Sequence, residues 1–267
     1  VALKKFFPPE FRNRLDAVIK FDKLGEDTMK SIVKKFLLEL NTMTVEKAVE
    51  VNATDQAVTY GSVTPTSTGF AIGATSAGDL NSSGENYVSW NWKAGGNSNT
   101  YNIDGTGYGT ASAASLDGGT ITPTGASINT ATGFSIVKYT GNDTQDATYN
   151  TGLTVTSDFV ITKSTSTMSW YIWSSVLPSA TNYLKFDTSG QNTTYTPLYP
   201  TNPVSGGAGV FKIGSDQGVN ESTKSYIAYH FANISGYQQI GTYDGNGLAT
   251  GNMVTTGFEP AFLMVKE

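Results

Sequence analysis

The chain has no cysteine among its 267 residues, which excludes disulfides, zinc–thiolate centres and thiol nucleophiles and leaves the redox compartment open. Histidine is almost as scarce. His230 stands alone, so a histidine pair for a metal or a relay of imidazoles lacks members, and a solvent-facing or locally bonded role is expected. Arginine occurs only as Arg12 and Arg14. Residues 51–267 hold seven lysines and fourteen acids with no arginine, a net charge of −7, whereas residues 1–50 come to +2. Polyanion binding needs clustered Lys or Arg, so neither nucleic acid nor an anionic membrane surface is an expected partner. No apolar run approaches the roughly 18 residues of a membrane span, and Val-Ala-Leu-Lys-Lys is not a secretory signal.

What is abundant is Thr, Ser, Asn and Gly, with 12% aromatics, a composition suited to short strands and many turns. One stretch appears twice. Residues 69–94 and 209–232 align at Phe70 with Phe211, Ile72 with Ile213 and Gly73 with Gly214. After a polar stretch, Asn81 aligns with Asn220, Tyr87 with Tyr226, Trp90 with Tyr229 and Trp92 with Phe231. The endings, Tyr-Val-Ser-Trp-Asn-Trp and Tyr-Ile-Ala-Tyr-His-Phe, read as alternating strands with one aromatic side. The pattern also restarts: Phe134 to Tyr237 and Phe159 to Phe262 are both 103 residues apart. A unit of about 103 residues follows.

The organisation read from these spacings has five parts. Residues 1–50 are a helical segment, 51–94 a partial β repeat, and 95–131 a Gly/Ser/Thr-rich linker or insertion. Residues 132–234 are a complete repeat, and 235–267 the truncated start of another. Such a chain reads as a fragment. The fold expected is all-β, an antiparallel sandwich whose core takes in Phe134, Ile136, Phe159, Ile161, Phe211, Ile213, Tyr226 and the aromatics after it.

Two resemblances accompany this reading. Phe7-Pro8-Pro9-Glu10-Phe11-Arg12-Asn13-Arg14-Leu15-Asp16, followed by an amphipathic helix from about Glu26 to Leu40, resembles the end of the second ATPase domain of a Clp-type AAA+ unfoldase, a cytoplasmic family. The resemblance implies that Arg14 stands at the arginine-finger position. A finger acts on a phosphoryl group held by a P-loop, and the chain has no GxxxxGK[ST], so no ATPase activity is expected. Gly133-Phe-Ser-Ile-Val-Lys-Tyr-Thr-Gly-Asn142, the strand from Asp158 to Lys163, Ser169-Trp-Tyr-Ile-Trp173 and the aromatic strand are similar, in order and spacing, to tandem repeats of structural and tail-associated proteins of marine phages. That similarity implies a jelly roll of the lectin or laminin-G kind and a virion or host-surface location. Its partners would be other virion proteins or host glycans, with oligomers conceivable. An inactive piece of a Clp-type unfoldase is the alternative.

Among the residues themselves, Trp170, Tyr171 and Trp173 are candidates for stacking on sugar rings, although alternation puts Trp170 on the strand face opposite the other two. Asp216, Asn220 and Glu221 lie in an oxygen-rich loop that could supply calcium ligands. No catalytic residue is expected and no cofactor is required. The carboxylates occupy turn-like surroundings, where turn formation alone explains them.

Overall fold

The computed structural model describes residues 62–66, 69–73, 83, 84, 86, 87, 89–188, 193–248 and 253–266. All of them belong to the second of two units into which the chain divides, Thr44–Glu267. The helical segment expected over residues 1–50, with Arg14, lies outside the described residues.

In chain order the first strands are β1 (Ser62–Pro65), β2 (Phe70–Gly73), β3 (Tyr101–Ile103), β4 (Thr106–Tyr108) and β5 (Gly125–Asn129). There follow β6 (Phe134–Thr140), β7 (Ala147–Asn150), β8 (Phe159–Ser164), β9 (Tyr171–Ser174), β10 (Asn182–Lys185) and β11 (Thr193–Thr194). Last come β12 (Val210–Ile213), one helical turn α1 (Gln217–Asn220) and β13 (Ser225–Phe231). Nine strands form one sheet in the order β11-β10-β9-β8-β13-β6-β5-β3-β4, while β12 pairs with β7 and β1 with β2 as separate two-stranded ribbons.

The chain is therefore mostly β, and the sheet is mixed. The antiparallel expectation is corrected at one place: β3 runs parallel to β5, with Tyr101 opposite Ala126 and Ile103 opposite Ile128. The aromatic strand β13 sits between β6 and β8, pairing Phe231 with Phe134 on one side and with Phe159 on the other. A strand so placed satisfies its backbone groups along both edges, which suits a run of β-branched and aromatic residues.

The two faces of this central trio are both apolar, and they divide differently from the expected pattern. Tyr226, Ala228 and His230 face inward with Val137, Tyr139 and Val160, beneath the β7–β12 ribbon. Tyr229 and Phe231 point the other way. Tyr226 thus does not share a side with the aromatics that follow it, a correction to the single aromatic side read from the sequence. Of the expected core, Phe211, Ile213 and Tyr226 are fully buried in the inner layer. Phe134 is buried on the outer face, and Phe159, Ile136 and Ile161 are half-buried there.

Phe211 is the hub of the inner layer. Its ring centroid lies 5.4 Å from that of Trp173, 5.9 Å from Tyr149, 6.3 Å from Tyr199 and 5.1 Å from His230. Tyr139 stacks between Tyr149 at 4.8 Å and Tyr226 at 5.3 Å. The hydroxyls of this layer all find partners: Tyr139 donates to the Val219 carbonyl at 2.7 Å, and Tyr226 to that of Gln217 at 2.6 Å. Burial pushes the pKa values of Tyr139 and Tyr149 well above the ordinary tyrosine value, so these donors stay neutral.

Residues 95–131, expected as a linker or insertion, supply β3, β4 and β5 to the sheet. Asp104 and Gly105 turn between β3 and β4 with φ of 50° and 87°, the pair of positive values that a type I′ hairpin requires. Small side chains then pack closely. Ala111, Ala114, Leu116, Ala126 and Ile128 form a second apolar cluster with Leu153 and Ala232. Gly133, with φ of 63°, closes the hairpin into β6, where a Cβ would come within 2.8 Å of the Ile234 side chain.

The flanking part-copies differ from the complete unit. The described residues between 83 and 94 carry no strand, and neither do Tyr237–Asn246 or Ala261–Lys266. The strands expected at these places are a correction too. Their counterparts in the complete unit are laddered to neighbouring strands, whereas among the described residues of these segments the β pairing is limited to an isolated bridge between Ile234 and Gln238.

Candidate functional site

Tyr171 and Lys185 stand opposite one another on β9 and β10, with Tyr183 two residues away on the same face. The Tyr171 and Tyr183 rings meet at 5.7 Å and 59°, and the Lys185 ammonium lies 5.4 Å from the Tyr171 ring centroid. All three side chains are half-buried, so each keeps part of its surface open. Gly218 of α1 leaves room for the ring, since a Cβ there would come within 2.4 Å of Tyr171 Cε2. Burial, and then the negative charge of Asp216, push the Tyr171 hydroxyl up to about 12. It is a neutral group that can donate or accept a hydrogen bond.

Asp187 borders the same strands. Its Oδ1 accepts from the Trp170 amide at 3.0 Å, whereas its buried Oδ2 has no hydrogen-bond partner among the described residues. The arrangement combines two ring faces, an ammonium and carboxylates at one end of the sheet. Such a set can hold a polyhydroxylated ligand through stacking and hydrogen bonds.

The sequence candidates separate sharply. Trp173 is in the core, with Nε1 donating to the Ala180 carbonyl at 2.9 Å. Trp170 is buried on the other strand face, with the Lys163 ammonium 6.0 Å from its ring centroid. A stacking platform needs an accessible ring, and of the three only Tyr171 is not buried. The alternation of the strand was readable, but not that both faces would be covered. Tyr183 and Lys185 were missed because cross-strand register is not visible in a single strand.

Asp216, Asn220 and Glu221 hold their loop together. Asp216 caps α1 by accepting from the Gly218 amide at 2.7 Å. Asn220 is fully buried: its Oδ1 accepts from the Asn142 amide at 2.8 Å, and its Nδ2 donates to the carbonyls of Gly214 and Thr144. The Glu221 amide donates to the Tyr226 hydroxyl at 2.8 Å. Among the described residues no three acids or imidazoles converge as metal ligands would. Elsewhere Asp158 accepts from the Asn233 amide and the Ser175 hydroxyl, and Asp143 from the Ser222 amide, each tying one loop to another.

His230 is buried rather than solvent-facing, bonded through Nε2 to the Tyr149 hydroxyl at 3.1 Å and through Nδ1 to the Ser157 hydroxyl at 3.0 Å. Burial lowers its pKa to about 3, so it is a neutral bridge between two hydroxyls.

Comparison with known proteins gives one broad match and several short ones. A family model described as a domain of unknown function (DUF7483) matches residues 30–267. A ClpA homologue of Fuscovulum blasticum is 41% identical over 59 residues, 22% of this chain and 7% of that protein. The ATP-dependent Clp protease ATP-binding subunit ClpE of Bacillus subtilis (strain 168) is 39% identical over 56 residues, 21% of this chain and 8% of that protein. The chain thus spans less than a tenth of the length of these two relatives. No solved structure matches it.

Proposed function

The chain belongs to the DUF7483 family, and from that premise we propose that it is a non-enzymatic adhesion or structural module of a phage virion or tail, with surface glycans as its ligand class. The single observation that carries this reading is the half-buried Tyr171–Tyr183–Lys185 cluster. Carbohydrate rings stack on such faces, and hydroxyl groups bridge between an ammonium and carboxylates. The engaged state of Asp143, Asp158 and Asp216, each holding a loop amide, favours binding over hydrolysis. In this reading the nine-stranded sheet and its covering ribbon are a sandwich of the lectin or laminin-G kind. The location would be the virion or an extracellular surface.

A glycan array probed with the purified chain tests the proposal. Retention of a defined set of sugars is expected, weakened about tenfold, roughly 1.4 kcal/mol, by Tyr171→Ala. Lys185→Gln, which removes less packing, is expected to act in the same direction. An array that stays blank with folded protein overturns the glycan assignment. The short likeness to Clp proteins supports a second reading, an inactive piece of such an unfoldase. ATP turnover by the intact chain would overturn the non-enzymatic reading.

A further inference from the structure

The two flanking part-copies carry complementary portions of the repeat. The segment from Phe70 to Trp92 holds the counterparts of β12 and β13, and the segment from Tyr237 to Lys266 holds the counterparts of β6 and β8. In the complete unit those are partners: β13 lies between β6 and β8. Carrying the two alignments across places Trp92 at the position of Phe231 and Phe262 at that of Phe159.

Phe231 and Phe159 are directly opposite in the complete unit, with ring centroids 5.8 Å apart. The Trp92 and Phe262 rings also lie 5.8 Å apart. Trp90, at the position of Tyr229, meets Phe262 at 6.2 Å. β2 aligns with β12 and, like it, is a strand, although it pairs with the adjacent β1 and not with a counterpart of β7. Trp92 further packs on Phe231 at 6.2 Å and on Phe134 at 6.4 Å. Trp92 and Phe231 are equivalent positions, and contact between equivalent positions is the mark of an isologous, twofold interface.

We propose that the two flanking segments are halves of one second copy of the repeat, which pairs within the chain and docks by its outer aromatic face onto the outer face of the first. The partner for the exposed aromatic run at Trp90 and Trp92 is then the run Phe262-Leu-Met-Val265 of the same molecule. Phe262, Leu263, Met264 and Val265 are all exposed, an apolar stretch that a solvated turn does not explain. The register follows from the complete unit, where His230 faces Val160 and Phe231 faces Phe159. Asn91 therefore faces Leu263, and Trp92 faces Phe262.

The cysteine-free chain makes this directly testable. Asn91→Cys combined with Leu263→Cys places two thiols at opposed strand positions, within the span of a disulfide. Asn91→Cys with Met264→Cys is the slipped control, because one residue of shift turns the side chain to the other face. Under mild oxidation the first pair is expected to close in the monomer at least tenfold faster than the second, with near-ultraviolet circular dichroism unchanged. Equal rates, no closure, or a disulfide found only in covalent dimers overturns the intramolecular pairing. Hydrogen exchange on the unsubstituted chain gives an independent reading that no misfolded variant can confuse. Slow exchange at the amides of residues 87–92 and 262–266 supports the ladder, and exchange at unstructured rates overturns it.

Discussion

The same aromatic motif stands at two places in this chain and meets two different fates. In β13 it is the middle of a nine-stranded sheet, with Tyr226, Ala228 and His230 fully buried. In the first copy Trp90 is 62% exposed and Trp92 43% exposed, and the described residues around them carry no strand. The motif is closely matched in both. What differs is the neighbours, since β13 is bracketed by β6 and β8 over its whole length. Alternation makes a segment able to be a strand, but two partners make it one.

The widest contrast is expected between Phe211 and its counterpart Phe70. Phe211 touches four aromatic rings in the core, so Phe211→Ala should cost about 3–5 kcal/mol. Phe70 is 40% exposed, and Phe70→Ala should cost about 1 kcal/mol or less. Denaturant melts of both variants measure the gap, and equal losses would erase the distinction between the copies.

A smaller difference is expected at His230, whose counterpart is Asn91. The folded pKa of His230 lies below its unfolded value, so its neutral form contributes stability that is present above about pH 6.5 and lost as pH falls toward 3. His230→Gln removes that titration. The variant should be about 1–3 kcal/mol less stable at pH 7, through imperfect bonding of Tyr149 and Ser157, yet lose less on acidification than the parent. Melts between pH 7 and pH 3 compare the two slopes, and parallel slopes would remove His230 as the cause. An effect smaller than that at His230 is expected from Trp92→Ala. It gives up a tilted ring contact with Phe134 and edge contacts with Phe231 and Phe262 and should cost about 1–2 kcal/mol in the same melts.

Much of the sheet was legible in the sequence. The motif Phe134-Ser-Ile-Val-Lys-Tyr-Thr140 and the run from Asp158 to Lys163 belong to the complete repeat read from the sequence, and they form β6 and most of β8. Which face turned inward was not legible, because Val137 and Tyr139 are as apolar as Phe134 and Ile136. Neither was the contribution of residues 95–131. There alanine, serine and glycine give little hydrophobic period, and the Asp104-Gly105 hairpin signal lies between two strands of only three residues. At the candidate site Tyr171 was legible only as an aromatic on a strand face. Its neighbours Tyr183 and Lys185 arrive through register, and the buried ends of Trp170 and Trp173 are a matter of tertiary packing. The acid-rich loop at Asp216 to Glu221 looked like a cation site because carboxylates that cap helices and carboxylates that bind ions use the same residues.

The last strand to leave the ribosome among those of the large sheet, β13, is the one that belongs in its middle. Until it is delivered, β6 and β8 have no common partner, and the nascent chain presents two unpaired edges rather than a finished layer. Folding must then wait on contacts between residues far apart in sequence, which are slow to form. Assembly of this domain is therefore governed by the arrival of one late strand. A chaperone or a ribosome-bound pause would act most strongly in the interval before Phe231 emerges.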